Sequence, residues 1–139
     1  MNKFSAALNV HIEQIREWGQ REVRPAGLEA DRNGAPLPPD HPYFAGYVDF
    51  RRRHPGPVDD GAVPEGPAVR MAAINEENDY WDRGMGVAAP GPGLPAPIVT
   101  AAGTPQQREH FLGPFRGSEI PRWGSFALMA AREYGARVT

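Results

Sequence analysis

The stretch Ala101–Leu128, AAGTPQQREHFLGPFRGSEIPRWGSFAL, contains the clearest start and stop signals for secondary structure in this chain. Thr104 can cap a helix, Pro105 suits the first helical position, where its missing N–H would have no partner, and Gln107 completes a capping box. We predict a helix that ends within about three turns at Gly113-Pro114, because proline cannot continue the hydrogen-bond ladder. Four of its side chains are expected to face a core: His110, Phe111, Leu112 and Phe115.

Helical periodicity also marks the start of the chain. Apolar residues recur there at intervals of four and three, which is typical of an amphipathic helix: Phe4, Leu8, Ile12, Ile15 and Trp18. The apolar pattern continues through Val23 to about Ala30. Composition alone would nevertheless end the helix near Arg24, because a proline inside a helix, here Pro25, costs about 3 kcal/mol.

Three further helices are predicted before the capping box. The first covers 43–53 and the second covers 67–83, whose residues 75–77 are expected to face water. A short buried helix over 97–102 then leads to Gly103. After residue 121 the alternation of large and small residues is typical of a strand. The sequence therefore predicts an all-α fold, a small helical bundle with a short C-terminal strand or extended tail.

Composition limits the classes of function. The net charge is −2 and there are no cysteines, which excludes a disulfide scaffold or a thiolate metal site. The three arginines at 51–53 suit the C-terminal end of a helix and are too few for a nucleic-acid surface. We expect no membrane partner, because no stretch approaches the roughly 20 apolar residues of a membrane span. The start of the chain also lacks the apolar run of a signal peptide, and the expected location is the cytoplasm.

No pattern of catalytic or metal-binding residues is evident. Glu76, Glu77 and Asp79 are expected on a solvated helix face, with nothing in the sequence to bury them. The four histidines show no metal-ligand spacing, and the serines lie in no nucleophile motif. Gly84-x-Gly86-x-x-Ala89 fits a loose dinucleotide pattern, but no strand precedes it and Pro90 opens no helix after it. We therefore predict no catalytic residue and no metal site.

Several short motifs together carry a resemblance to a known family. The chain reads Gly103-Thr-Pro-Gln-Gln-Arg108, then Leu112-Gly-Pro114 and Phe126-Ala-Leu128, and earlier it reads Val23-Arg-Pro-Ala26 and Glu29-Ala-Asp31. In this combination the sequence resembles the N-terminal helical domain of flavin-dependent acyl-CoA dehydrogenases and its passage into their central β-domain. The resemblance covers about residues 10–128. It implies that the first helix continues past Pro25 with a kink.

The resemblance implies that the chain is divided into two parts, and it implies the chemistry of the family. Residues 1–120 would form the helical domain, and residues 121–139 would be a remnant of the first β-domain strand with a degenerate flavin loop. Members of the family hold FAD between the β-domain and a C-terminal helical bundle. A glutamate removes the acyl α-proton while the β-hydrogen leaves as hydride to flavin N5, and the protein holds the two reactants in register.

Candidate binding residues follow from the resemblance alone. Phe126, Leu128 and Met129 match the strand that binds the flavin ring, but Met129 lacks the hydroxyl that the family has at this place. Where the family reads Thr/Ser-Glu-Pro-x-x-Gly-Ser-Asp, this chain reads Met129-Ala-Ala-Arg-Glu-Tyr-Gly-Ala-Arg137. The family's acyl-facing helix corresponds to the Gly- and Pro-rich segment 84–97, which that composition would loosen or break. Three of its side chains are candidates for an acyl-facing wall: Met85, Val87 and Leu94.

Three functions are compatible with the sequence. The chain can be a truncated acyl-CoA dehydrogenase-like protein that is inactive alone, with FAD implied by the family but no cofactor bound by these residues alone. It can instead be an accessory or structural subunit that completes a partner dehydrogenase. The third alternative is a flavin-free helical module that binds acyl groups or protein. An open strand edge within 121–139 predicts a homo-oligomer or a partner subunit.

Overall fold

The computed structural model of the chain describes residues 4–57 and 66–124. Across these residues the fold is all-α, which confirms the predicted class. The only β-type pairing there is an isolated parallel bridge between Gly91 and Trp123. The helices, in order, are α1 (Ala6–Trp18), a π-helical segment (Gly19–Val23), α2 (Arg24–Asn33), α3 (Pro42–Arg53), α4 (Gly66–Ala88), α5 (Pro95–Ala102), α6 (Pro105–Leu112) and a 3₁₀ turn (Gly113–Phe115).

The described residues fall into two compact units. The first unit contains residues 4–57, 66–89 and 119–121, and it includes helices α1 to α4. The second unit contains residues 90–118 and 122–124, with helices α5 and α6.

The first helical segment continues past Pro25, as the resemblance implies, while the kink implied with it stays a prediction. The π-helical segment provides the local solution, because the Arg24 N–H bonds to the Gly19 carbonyl five residues back. Pro25 has no N–H, and its ring would crowd the Arg21 carbonyl in a regular α-helix. A wider turn just before the proline relieves that conflict. Helix α2 then ends at Gly34, whose left-handed backbone (φ 59°) suits glycine.

The core of the first unit is built around aromatic rings. Trp18 stacks on Phe50 with ring centroids 4.9 Å apart, and its ring lies 6.3 Å from that of Tyr43. Burial of such large rings contributes most of the apolar area that stabilises a small domain. The buried core residues are Ile15, Trp18, Val23, Ala26, Leu37, Tyr43, Phe44, Phe50 and Met85.

Helix α4 is attached to α1 by an ion pair between Arg16 and Glu77. This pair shows that the prediction of a water-facing Glu77 is wrong. Glu77 does not face water, because its side chain is only 13% exposed and accepts two hydrogen bonds from Arg16, of 3.1 and 2.8 Å. The Trp81 indole N–H donates to the same carboxylate at 3.1 Å. A partner 61 residues away in the sequence thus determines the environment of Glu77, which local periodicity does not show.

Helix α4 is broken at Asp82 and then continues, so it ends later than the predicted residue 83. Asp82 has an extended backbone (φ −172°, ψ 111°), and its carboxylate accepts a hydrogen bond of 3.0 Å from the Met85 N–H. Because a side-chain oxygen at this position replaces a missing helical acceptor, Asp82 acts as the cap of the last helical residues. The part of α4 that follows Asp82 therefore stays helical to Ala88, although it contains Gly84 and Gly86.

In the second unit the predicted capping box is present. The Gln107 N–H donates to Thr104 Oγ1 at 3.2 Å, and the Thr104 N–H donates to Gln107 Oε1 at 2.8 Å. The α-helix ends at Leu112, as predicted from Gly113-Pro114.

The burial predicted for the second unit is wrong. Helices α5 and α6 contain no buried residue, and Phe111 is 54% exposed. Two helices of eight residues each are too short to enclose an apolar core of their own. Residues 122–124 lie beside Gly91 at the start of this unit. The Gly91 N–H donates to the Arg122 carbonyl at 2.7 Å, and the Gly124 N–H donates to the Gly91 carbonyl at 2.8 Å.

Candidate functional site

The residues predicted to bind flavin or face an acyl chain have different positions. Phe126, Leu128 and Met129 lie outside the described residues. Met85 is 5% exposed and packs in the core of the first unit. Val87 and Leu94 are 71% and 74% exposed. Of the three wall candidates, Val87 and Leu94 are accessible to a ligand or partner, and their role stays a prediction.

Two of the three carboxylates considered on α4, Asp79 and Glu77, form ion pairs that account for their positions without a catalytic role. Asp79 accepts two hydrogen bonds from Arg83, one turn later on the same helix, of 3.0 and 3.1 Å. Glu77 is held by Arg16, as described above. Within the described part of the chain, no group of three or more potential ligands could hold a metal ion. We find no acid–base pair on this helix.

The second unit exposes large apolar side chains. Leu94 precedes α5, Ile98 lies within it and Phe111 lies in α6, with exposed fractions of 74%, 59% and 54%. Single exposed apolar residues are common on monomers. Here, however, they occur on helices that bury no residue at all. Burial of this apolar surface would require residues beyond the two helices.

The first unit contains a groove, which we call the Trp18 groove, with a volume of about 400 Å³. This volume lies within the range of small-molecule sites in proteins. One wall is the end of α1, the π-helical segment and α2, and the other is α3 with its cap. Its lining residues are Trp18, Arg21, Glu22, Pro25, Ala26, Glu29, His41, Pro42, Tyr43, Gly46 and Arg53.

Local sequence explains how both walls are formed. Pro25 accounts for the π-helical segment, which contributes Arg21 and Glu22 to one wall. On the other wall the His41 Nδ1 accepts a hydrogen bond of 3.2 Å from the Tyr43 N–H and caps α3. Pro42 occupies the first turn of α3, where a proline fits without loss of a hydrogen bond.

The charged groups of the groove are balanced. Arg21 Nε lies 3.0 Å from Glu22 Oε1, and His41 Nε2 lies 3.5 Å from Glu29 Oε2. Arg53 pairs with Asp49, outside the groove lining. The lining thus contains two arginines and two glutamates, besides the aromatic rings.

Two aromatic residues of the groove are largely buried. Burial raises the pKa of the Tyr43 hydroxyl well above its ordinary range. Trp18 is 7% exposed, and its indole N–H is buried without a hydrogen-bond partner among the described residues. Buried N–H donors without a hydrogen-bond partner are unusual in native proteins.

A buried histidine outside the groove predicts a pH effect on stability. His11 is 5% exposed, and its pKa is lowered from the ordinary 6.5 mainly by burial; Gln14 raises it by hydrogen bonding, and Arg51 and His54 lower it by charge repulsion. The unfolded chain therefore takes up a proton near pH 6.5 while the folded chain does not. We expect the free energy of unfolding to fall as the pH drops below 6.5, until the folded pKa is also passed.

Urea denaturation at a series of pH values checks this effect. His11→Gln should remove most of the decrease between pH 7 and 5, whereas His110→Gln, at an exposed position of α6, should keep it. An unchanged pH dependence in His11→Gln would contradict the assignment to His11.

Comparison with protein families, characterised proteins and solved structures found no match to this chain. Among the described residues, no helix is both long enough and apolar enough to cross a membrane.

Sequence reasoning did not identify the Trp18 groove, because its residues come from parts of the chain that meet only in the folded unit. Trp18 was predicted from periodicity as a core residue, and it is also part of the groove lining. The available signal was the sequence His41-Pro42 before a helical pattern, which indicates a capped helix start. That signal predicts the start of α3, which forms one wall of the groove. It does not predict that α2 and the π-helical segment form the opposite wall.

Proposed function

We propose that the chain is a helical domain of the acyl-CoA dehydrogenase type, inactive alone, which contributes one wall to a flavin and acyl site completed by further polypeptide. The motifs that resemble the family support this proposal, and the first helical segment continues past Pro25, as the resemblance implies. Val23-Arg-Pro-Ala26 lies in an unbroken helical segment, and Thr104–Gln107 forms a capping box.

The observation that carries the proposal is the exposure of apolar side chains in the second unit. Helices α5 and α6 bury no residue, while Leu94, Ile98 and Phe111 are all more than half exposed. In the resembled family the region that corresponds to 84–97 faces the acyl chain and the flavin, and the chain passes into the β-domain after the helix that corresponds to α6. A surface that becomes buried in an assembly is expected to be apolar at its centre. The occupant that we propose is a flavin-binding polypeptide of the same type.

The alternative of a flavin-free binding module has one observation in its favour, the Trp18 groove in the first unit. It is a separate site and can exist alongside the proposed wall. The two roles differ in their residues, since none of the exposed side chains that carry the proposal, Leu94, Ile98 and Phe111, lines the groove.

The purified chain is expected to be colourless. Met129 supplies no hydroxyl for the flavin ring, and no Gly-Ser-Asp sequence follows it. Each lost hydrogen bond costs about 0.5–1.5 kcal/mol net. The measurement is a visible absorption spectrum of the chain produced alone in a foreign host with added FAD. A stoichiometric yellow chromophore that survives gel filtration would refute the proposal that the chain needs further polypeptide to hold flavin.

A further inference from the structure

The buried ring of His11 on α1 is covered by the chain that follows α3. We call residues 54–57 the His54 strap. His11 is 5% exposed, and a Cβ atom added at Gly56 would lie 3.2 Å from its Nε2, 3.5 Å from its Cε1 and 3.6 Å from its Cδ2. Gly56 has a left-handed backbone (φ 84°), which suits glycine. The backbone of the strap therefore approaches the imidazole directly, with no side chain of Gly56 between them.

Few interactions hold the His54 strap in place. The His54 N–H donates to the Phe50 carbonyl at 2.9 Å, and the centroids of these two rings are 4.9 Å apart. Pro55 and Pro57 have no N–H, and residues 55–57 make no backbone–backbone hydrogen bond to other described residues. Segments with few backbone hydrogen bonds open at a lower free energy than helices. The strap can thus open while α1 and α3 keep their own hydrogen bonds.

A proton on His11 meets no opposite charge from the described residues around it. The groups that act on its charge are Gln14 on α1 and two basic groups at the end of α3, Arg51 and His54. Burial is the main cause that lowers the His11 pKa; the Gln14 hydrogen bond raises it, and the two basic groups lower it further. The closed strap therefore favours the neutral imidazole.

We propose that the His54 strap opens when His11 takes up a proton, while α1 and α3 stay folded. In the open form the imidazolium reaches water, which screens it from Arg51 and His54. An exposed ring binds a proton more readily than a buried one. Acid therefore shifts the population towards the open form, by up to about tenfold for each pH unit below 6.5.

This opening adds to the pH effect on stability described above. The open form takes up the proton without unfolding, so it limits how far the free energy of unfolding falls. The inference is independent of the proposed function, because the apolar residues that carry that function lie outside the strap.

Nuclear magnetic resonance relaxation of the full chain, labelled with ¹⁵N, tests the opening between pH 7.5 and 4.5. The Gly56 N–H lies between the two prolines and reports on the strap. Its order parameter should fall from about 0.85 to below about 0.6, with the same midpoint as the titration of the His11 Cε1–H signal. The amides of Ile15 and Phe50 should stay near 0.85.

Three results in the unaltered chain would overturn the proposal. Gly56 would stay ordered after His11 has taken up its proton, or His11 would take up no proton by pH 4.5. In the third, Ile15 and Phe50 would lose order together with Gly56, which would mean that the whole unit unfolds.

A matched pair of variants assigns the opening to His11. His11→Gln has no imidazole to protonate and should keep Gly56 ordered at pH 4.5. His54→Gln makes the same change within the strap and should still open. A strap that opens in His11→Gln, or that stays closed in His54→Gln, overturns the proposal. The midpoints measured in the unaltered chain decide the question even if His11→Gln does not fold.

Discussion

Ile15→Ala should lower the free energy of unfolding by about 2–5 kcal/mol, because it leaves a cavity in the core of the first unit. Ile15 is only 2% exposed and belongs to the buried cluster around Trp18. A small domain has a total stability of only about 5–15 kcal/mol, so this change removes a large part of it. Urea denaturation followed by circular dichroism measures the loss directly.

Val10→Ala is the matched control for this cavity. Val10 lies on the same helix, but its side chain is 58% exposed. We expect its effect to stay within about 0.5 kcal/mol, as is usual for surface positions. Similar losses at Val10 and Ile15 would mean that helix α1 does not bury the face described here.

Gly19→Val should lower the free energy of unfolding by about 1–3 kcal/mol through overpacking. A Cβ atom added at Gly19 would lie 2.1 Å from Cδ1 of Trp81, which is far closer than van der Waals contact. The indole ring is itself held by its hydrogen bond to Glu77. The larger side chain must therefore displace α4 from the π-helical segment.

Thermal unfolding of this variant and of Gly86→Ala separates overpacking from the ordinary effect of replacing a helical glycine. At Gly86 an added Cβ would meet no atom closer than 3.6 Å, and we expect an effect near zero or a gain of about 0.5–1 kcal/mol. If Gly19→Val were as stable as Gly86→Ala, α4 would not approach the first helical segment at Gly19.

The helices could be predicted from the sequence where their signals are local. The spacing of Leu8, Ile15 and Trp18 predicts the buried face of α1, and all three are buried. The pattern Thr104-Pro-Gln-Gln107 predicts a capping box, and both of its hydrogen bonds are present. These features depend on residues within a few positions of each other.

Features that depend on distant partners could not be predicted. Glu77 is shielded from water by its ion pair with Arg16 on another helix. Phe111 is exposed because α5 and α6 bury no residue against each other. The break at Asp82 depends on its own carboxylate and on the close approach to Gly27, where an added Cβ would lie 2.0 Å from Oδ2. Periodicity within one helix contains none of this information.

The Trp18 groove was not predictable for the same reason. His41 and Glu29 are 12 positions apart and lie near each other only after the turn between α2 and α3. The family resemblance implies binding residues within 84–97 and 126–129. It gave no indication of a site at the Trp18 groove.

The visible absorption spectrum of the assembly recovered with a tagged copy of the chain from its own cells tests the proposed function most directly. The proposal predicts a flavin band in this assembly, although the chain alone is colourless. Ile98→Lys, on the exposed apolar surface of α5, should abolish recovery of the flavin, whereas Thr100→Lys, also exposed on α5, should keep it. A colourless assembly, or one whose flavin is retained equally by both variants, would contradict the proposal that the second unit forms a wall of a flavoprotein.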